Sequence, residues 1–354
     1  MSYFQSTKIT DSNGVAQGVL MEDNTLTSRS YYQAMGEGDV ANHRSWSKIG
    51  FTPTMNTTES DVWGLGGVYV WPTTASQWDV ISSSANDAGT SIKSGTSTGG
   101  STTTLIDSGA NFTGATAVAI GDCVVLDKSG TTPEWGYVSS VDSATQLTIS
   151  GGFSLGGTGS GRAYNIVDTS AATGAQVVKI NYLDGSYNEK NEIVILNGLS
   201  AVNTVNTDFF RVNSFRIIGA GSLKYTVGNV SLRIAGGANT YSYIQAKYTR
   251  ARNSIYTVPV GKTVYVTQYS ASYSTTGNAN KEYARLYTRA NIEPDTRFQT
   301  DGIFYAYTEV AMQNSTIVIP LEIPTKLPAK TDIKISGVAT ASGVASIVLR
   351  GWIE

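Results

Sequence analysis

From Trp46 onward the chain alternates apolar and polar positions in short runs, at residues 61–65, 67–72 and 77–82, with Gly and Pro between them. Period-two runs bounded by turn residues predict β-strands rather than helices. The third run trails off through Ser82-Ser83-Ser84-Ala85-Asn86-Asp87-Ala88-Gly89, and the same β-unit resumes at Thr173-Gly174-Ala175-Gln176-Val177-Val178-Lys179-Ile180. Residues 90–172 therefore read as an insertion at a loop tip, with its own core. Inside it, strand candidates at 103–106, 122–126, 135–141, 146–149 and 163–167 predict a small closed or half-closed β-barrel. Its Ser/Thr/Gly-rich ends read as flexible connections.

After the insertion, runs at 177–182 and 191–196 flank a turn at Asp184-Gly185, and further strands are expected at 209–212, 214–218, 231–234 and 241–248. A second system begins at Ser254, with runs at 255–259, 263–273, 281–290, 304–310, 315–319, 321–323, 332–338 and 345–353. One strand per ten residues or so suggests a sandwich or jelly roll. The expected architecture is all-β: a first β-sandwich (46–89 and 173–253), a small β-barrel inserted in it (90–172), a C-terminal β-sandwich or jelly roll (254–354) and an N-terminal arm (1–45). Within the arm, residues 26–35 are compatible with a short helix ending at Gly36 and Gly38.

Composition fits this reading, because only 15% of the 354 residues are charged while Gly, Ser, Thr and Asn abound. The single cysteine, Cys123, excludes an intrachain disulfide framework. No apolar run is long enough to suggest a membrane span, and the N-terminus lacks the features of a signal peptide, so a soluble protein made in the cytoplasm is expected. The net charge of −2 hides an asymmetry: residues 1–210 hold 9 Lys+Arg against 19 Asp+Glu, residues 211–300 hold 12 against 3, and residues 301–354 hold 4 against 5. Such segregation can steer association. No sequence-specific nucleic-acid motif accompanies it.

Candidate chemistry is sparse. The one histidine, His43, stands in a polar lead-in, and one His with one Cys cannot complete a zinc site. Cys123 lies in the apolar run Cys123-Val124-Val125-Leu126 and reads as core. Glu59 with Asp61, and Glu293 with Asp295, are the carboxylate pairs a glycosidase would need, but each is read more simply as turn residues. No calcium-loop spacing or P-loop is present, and no cofactor is expected. The aromatic pattern is more informative. On an extended strand Tyr265, Tyr269 and Tyr273 share one face, as do Tyr283, Arg285, Tyr287 and Arg289 on another. With Arg250 and Arg252 they form a candidate subunit interface, since Tyr and Arg are frequent interface anchors.

Three stretches of the insertion carry a resemblance: Leu105-Ile106-Asp107-Ser108-Gly109-Ala110-Asn111-Phe112, Ile120-Gly121-Asp122-Cys123-Val124, and the run from Val138-Ser139-Ser140-Val141 to Leu147-Thr148-Ile149-Ser150. They look like the small β-barrel module spliced into head and tail proteins of tailed bacteriophages. Trp63-Gly64-Leu65-Gly66-Gly67-Val68-Tyr69-Val70 and the stretch from Tyr248-Thr249-Arg250-Ala251-Arg252 to Val260-Gly261-Lys262 are similar to phage structural proteins. The resemblance implies a non-enzymatic virion component, a capsid decoration or head-fibre protein. It would act as a homotrimer bound to the major capsid protein or other virion proteins, with the arm as a clasp. The alternative is a tail-associated protein that recognises host surface glycan. No catalytic residue is carried over.

Overall fold

The computed structural model describes residues 20–22, 25–27, 40–151, 153, 159–275, 282–290 and 304–354. All of its regular elements are strands. The first are β1 (Leu20–Glu22), β2 (Thr25–Thr27), β3 (Arg44–Met55), β4 (Ser60–Asp61) and β5 (Trp78–Ser82). The insertion holds β6 (Thr90–Thr96), β7 (Gly99–Gly100), β8 (Thr104–Ile106), β9 (Cys123–Leu126), β10 (Glu134–Ser143), β11 (Gln146–Ser150) and β12 (Ala163–Asp168). Then come β13 (Ala175–Leu183), β14 (Glu189–Ile195), β15 (Val202–Asn203), β16 (Arg211–Ala220), β17 (Val230–Ile234) and β18 (Thr240–Ile244). The last are β19 (Tyr256–Thr257), β20 (Val264–Ser274), β21 (Glu282–Ala290), β22 (Tyr305–Met312), β23 (Thr316–Leu327), β24 (Thr331–Ala339) and β25 (Gly343–Ile353). Leu26 and Thr27 lie in β2, not in the expected helix, whose remaining residues lie outside the described ones.

The chain interrupts itself twice. β3 pairs with β25 from Arg44↔Ile353 to Met55↔Gly343, and β4 pairs with β24. Trp46, Met55 and Val62 share a core with Val264, Tyr269, Leu286, Ile335 and Leu349. This corrects the expected boundary that placed residues from 46 onward in the first sandwich. Segment 44–62 belongs to an outer sandwich whose two sheets run β23-β20-β25-β3 and β19-β24-β21-β22.

A middle sandwich lies between those halves, its sheets β14-β13-β16 and β15-β5-β17-β18 enclosing Trp78, Tyr182, Phe209, Phe215 and Tyr241. Tyr182 and Phe209 stack there with ring centroids 3.6 Å apart. Between β5 and β13 runs the insertion, a seven-stranded sheet ordered β6-β12-β9-β10-β11-β8-β7 around Leu105, Phe112, Leu126, Leu147 and Ile166. Its ladder is not closed into a barrel. The segment after β6 leaves β12 at Ser97, which bonds Arg162 O, and turns to β8, where Thr98 N bonds Ile106 O.

The insertion is docked, not flexibly tethered. Cys123, Val125 and Val167 from its strands pack with Val177, Ile193 and Ile218 of the middle sandwich in a separate buried cluster. Ile193 N bonds Lys128 O, and the Tyr137 hydroxyl donates to Ile218 O. At the root, the fully buried Asp87 accepts from Ser82 Oγ (2.6 Å) and from the main-chain N–H groups of Ala175, Val227 and Gly228. One carboxylate thus ties the entry of the insertion to its exit, and a side chain at Gly174 would collide with it.

Cys123 reports on this joint. Burial pushes its thiol up to about 12, so little thiolate is present at neutral pH. The expected result is no reaction of the native protein with a thiol reagent at pH 8 and full reaction in urea. Rapid native labelling would mean that the insertion swings free.

Candidate functional site

The outer face of sheet β14-β13-β16 changes character where the insertion ends. Val177, Ile193, Ile195 and Ile218 lie under the insertion, whereas Lys179, Asn181, Asn191, Ser214 and Arg216 line open cavities beyond it. The cause is the pleat: Val178, Ile180 and Tyr182 of β13 point into the core, so Val177, Lys179 and Asn181 must point out. β10 with Trp135 bounds the trough on one side, and β3 with Ser47, Lys48 and Ile49 bounds it on the other.

Three cations stand in register across this surface. Lys179 is the cross-strand partner of Arg216, and Arg216 bridges to Arg250 on the neighbouring segment. Like charges placed directly opposite destabilise a sheet, typically by some tenths of a kcal/mol. Lys48 adds a fourth cation. It is half-buried, and its ammonium donates to the main-chain carbonyl of Asn213 at 2.5 Å. Among the described residues none of the four makes a salt bridge. The Trp135 ring offsets part of the charge, with Lys179 Nζ 4.6 Å and the Arg216 guanidinium 5.2 Å from its centroid.

Burial, then Arg250, lowers the Lys48 ammonium to about 7, and burial, then Arg216, lowers that of Lys179. Two acids line the trough: Glu134, at the Trp135 end, is buried, bound to Arg162 at 2.6 Å and acts on Lys179, and Glu189 lines the middle cavity.

Of the candidate interface residues, Arg250 belongs to this trough and the others divide. Tyr269 and Tyr273 are core residues, each 1% exposed, which overturns their place on an open face. The reason is a register shift between Val266 and Gln268, in both pairings of β20, that reverses the alternation. Tyr265 stays outside, stacked on Trp352 at 4.8 Å with its hydroxyl donating to Glu354. Tyr283, Arg285 and Arg289 are half-buried, and the Tyr287 side chain lies outside the described residues.

The arginines are occupied within the chain. Arg285 pairs with Glu309 and Glu59, and Arg252 lies between the rings of Phe51 and Tyr248. Arg289 and Arg211 both bind Asp332, which is fully buried and also accepts from Thr257 Oγ1. Arg211 lies on β16 and Asp332 on β24, so this triad joins the middle sandwich to the outer one. Its local sequence carries no sign of it.

The Glu59–Asp61 pair is not arranged for hydrolysis. Asp61 accepts from Tyr69 N, Ser336 Oγ and Lys334 Nζ, while Glu59 faces Arg285. Glu293 and Asp295 lie outside the described residues. His43 is paired with Glu354 at 2.9 Å. Among the described residues no group of three or more His, Cys, Asp or Glu side chains is placed to hold a metal ion. Among the described residues one acid is buried without a hydrogen-bond partner: Glu282 is 1% exposed in the outer core, and the Tyr269 hydroxyl beside it makes no hydrogen bond there either.

No family model matches the chain, and no curated protein does. Among solved structures it is similar to the VP2 subviral particle of infectious bursal disease virus, at 12% identity over 76% of either chain and a TM-score of 0.15. A structure of the Gt strain of that virus matches at 10% identity, covering 88% of this chain and 72% of the other, with a TM-score of 0.14. TM-scores this low carry no argument about how the sheets are arranged or what they serve.

Proposed function

We propose that this protein is a non-enzymatic structural component of a tailed-phage virion, a capsid decoration or head-fibre protein that acts as a homo-oligomer. The observation that carries the reading is the outer face of sheet β23-β20-β25-β3. Val318, Ser270, Val348 and Ile49 stand in register across all four strands, near the Tyr265–Trp352 stack. Val318 is 56% exposed and Ile323, on the same edge strand, 86%. A mostly apolar row, open at Val318 and half-buried at Ser270, Val348 and Ile49, is suited to burial against another copy or a shell protein. Pro320 and Pro324 lack the N–H groups that would extend the sheet, so the contact is expected through the face and not the edge.

Light scattering of the purified chain is expected to give an oligomer, and Val318→Asp to shift it to monomer with the fold retained. Imaging of particles with and without the protein should show density lost from the head. A monomeric wild type, or density lost from the tail, would refute the assignment. A second reading, a tail-associated protein that recognises host glycan, is favoured by the trough with its cations, amides and Trp135.

A further inference from the structure

Two features of the trough ask for opposite kinds of partner. Lys48, Lys179, Arg216 and Arg250 ask for an anion, because among the described residues none of them makes a salt bridge and only Glu134, itself bound to Arg162, acts on Lys179. Asn253, 5% exposed at the floor, uses its amide nitrogen on Ser242 Oγ at 3.0 Å, while its buried Oδ1 has no hydrogen-bond partner among the described residues and needs a donor. A carboxylate side chain answers the first demand and leaves the second unmet. A sugar acid answers both, since its carboxylate accepts from the cations and its hydroxyls donate as well as accept.

The dimensions agree. The cavity between Lys48, Asn213, Arg216, Arg250 and Asn253 has a volume of about 380 Å³, inside the roughly 300–1,000 Å³ typical of small-molecule sites. It shares Asn181 and Asn213 with a second cavity, which shares Lys179 and Asn191 with a third beside Trp135. The trough is therefore continuous over more than one such site, as a short chain of linked units requires. Amide side chains line it at Asn181 and Asn191, and Ser47 and Ser214 add hydroxyls. Such groups hydrogen-bond sugar hydroxyls without fixing a charge.

We infer that this trough binds an acidic oligosaccharide, with its carboxylates on Lys48, Lys179, Arg216 and Arg250 and its hydroxyls on Asn253 and the lining amides. The inference deepens the glycan-recognition reading, and it is tested on the purified full chain, without particles. It therefore stands or falls separately from head attachment.

Calorimetry would compare tetragalacturonic acid with maltotetraose, a hexaglutamate peptide and inorganic phosphate, at fixed ionic strength. Tetragalacturonic acid is expected to bind and the other three to bind at least about tenfold more weakly. Arg216→Gln and Arg250→Gln should each weaken it by about tenfold or more, as loss of a charge-assisted contact does. Lys326→Gln, on exposed β23, removes the same charge elsewhere and should leave affinity unchanged, and thermal melts would confirm that all three variants fold.

Absence of binding overturns the inference. So does hexaglutamate at equal affinity, which would make the trough a dock for an acidic protein segment. Equal binding of phosphate would reduce it to an ion site, and an equal loss in Lys326→Gln would reduce it to net charge.

Discussion

Replacing Glu282 by glutamine is expected to abolish a loss of stability that the wild-type protein undergoes as pH rises from about 4.5 to about 8. Burial alone raises this carboxyl from 4.5 to about 8, because an ionised oxygen there would face the apolar core with no hydrogen bond from a described residue. Between those values the folded state keeps a proton that the unfolded chain has released, so unfolding gains favour as pH climbs. At about 1.4 kcal/mol per pK unit the whole interval amounts to at most roughly 5 kcal/mol, a large share of the 5–15 kcal/mol or so that holds a typical domain together.

Urea denaturation at pH 5 and pH 9 measures it. Wild type should lose several kcal/mol (up to about 5) between the two, and Glu282→Gln much less. Glu282→Leu should be more stable than wild type at both, since it removes an unsatisfied acid from among Met55, Tyr269 and Leu286. Parallel curves for wild type and Glu282→Gln would show that the carboxyl finds a partner or water.

Asp332→Ala should be the most damaging single change at the junction of the two sandwiches. It strands Arg211, which is 5% exposed, and deprives Arg289 of the same partner. Losing one member of a buried ion pair costs about 3–5 kcal/mol, chiefly because the remaining charge stays desolvated. Arg211 cannot easily escape, being held over Phe210 at 3.9 Å and bonded to Pro72 O at 2.6 Å. Adding Arg211→Met to Asp332→Ala should recover part of the loss, and a double-mutant cycle would give a coupling of about 1–3 kcal/mol. A cost below about 1 kcal/mol for Asp332→Ala would mean that water reaches the triad and that the sandwiches are joined by apolar contact alone.

Much of the strand content was legible because alternation is written locally. All five strands expected in the insertion are found, as β8 to β12, within a residue or two at either end. What was misread there is the opening Ser/Thr/Gly-rich flank: residues 90–96 form β6, paired with β12. Their polarity reflects half-exposed edge positions and not flexibility. β3 was missed for a different reason. Gly50 and Pro53 break its pattern, yet Gly50 is needed where the strand crosses Val62 and Ser254, at a distance that admits no side chain. Pro320 likewise seemed to divide two runs, but β23 continues through it because it is an edge strand.

The trough was only partly visible. Arg250 was singled out, but Lys48, Lys179 and Arg216 lie in three separate segments and converge only through pairing and packing. Like-charged residues at central strand positions are the signal that could have found Lys179 and Arg216. Nothing in the sequence marks which strands become neighbours.

By itself the sequence determined that this is an all-β protein, where most strands run, and that one module is spliced into another. These follow from side-chain alternation and turn residues, which act over a few positions. Only the tertiary structure decided that the segment after residue 43 closes the last sandwich, that a one-residue bulge sends Tyr269 inward while Tyr265 stays out, and that Asp332 meets Arg211. Pairing partners, bulges and buried charges are set by contacts between residues tens to hundreds of positions apart, and their energies leave no periodic trace along the chain.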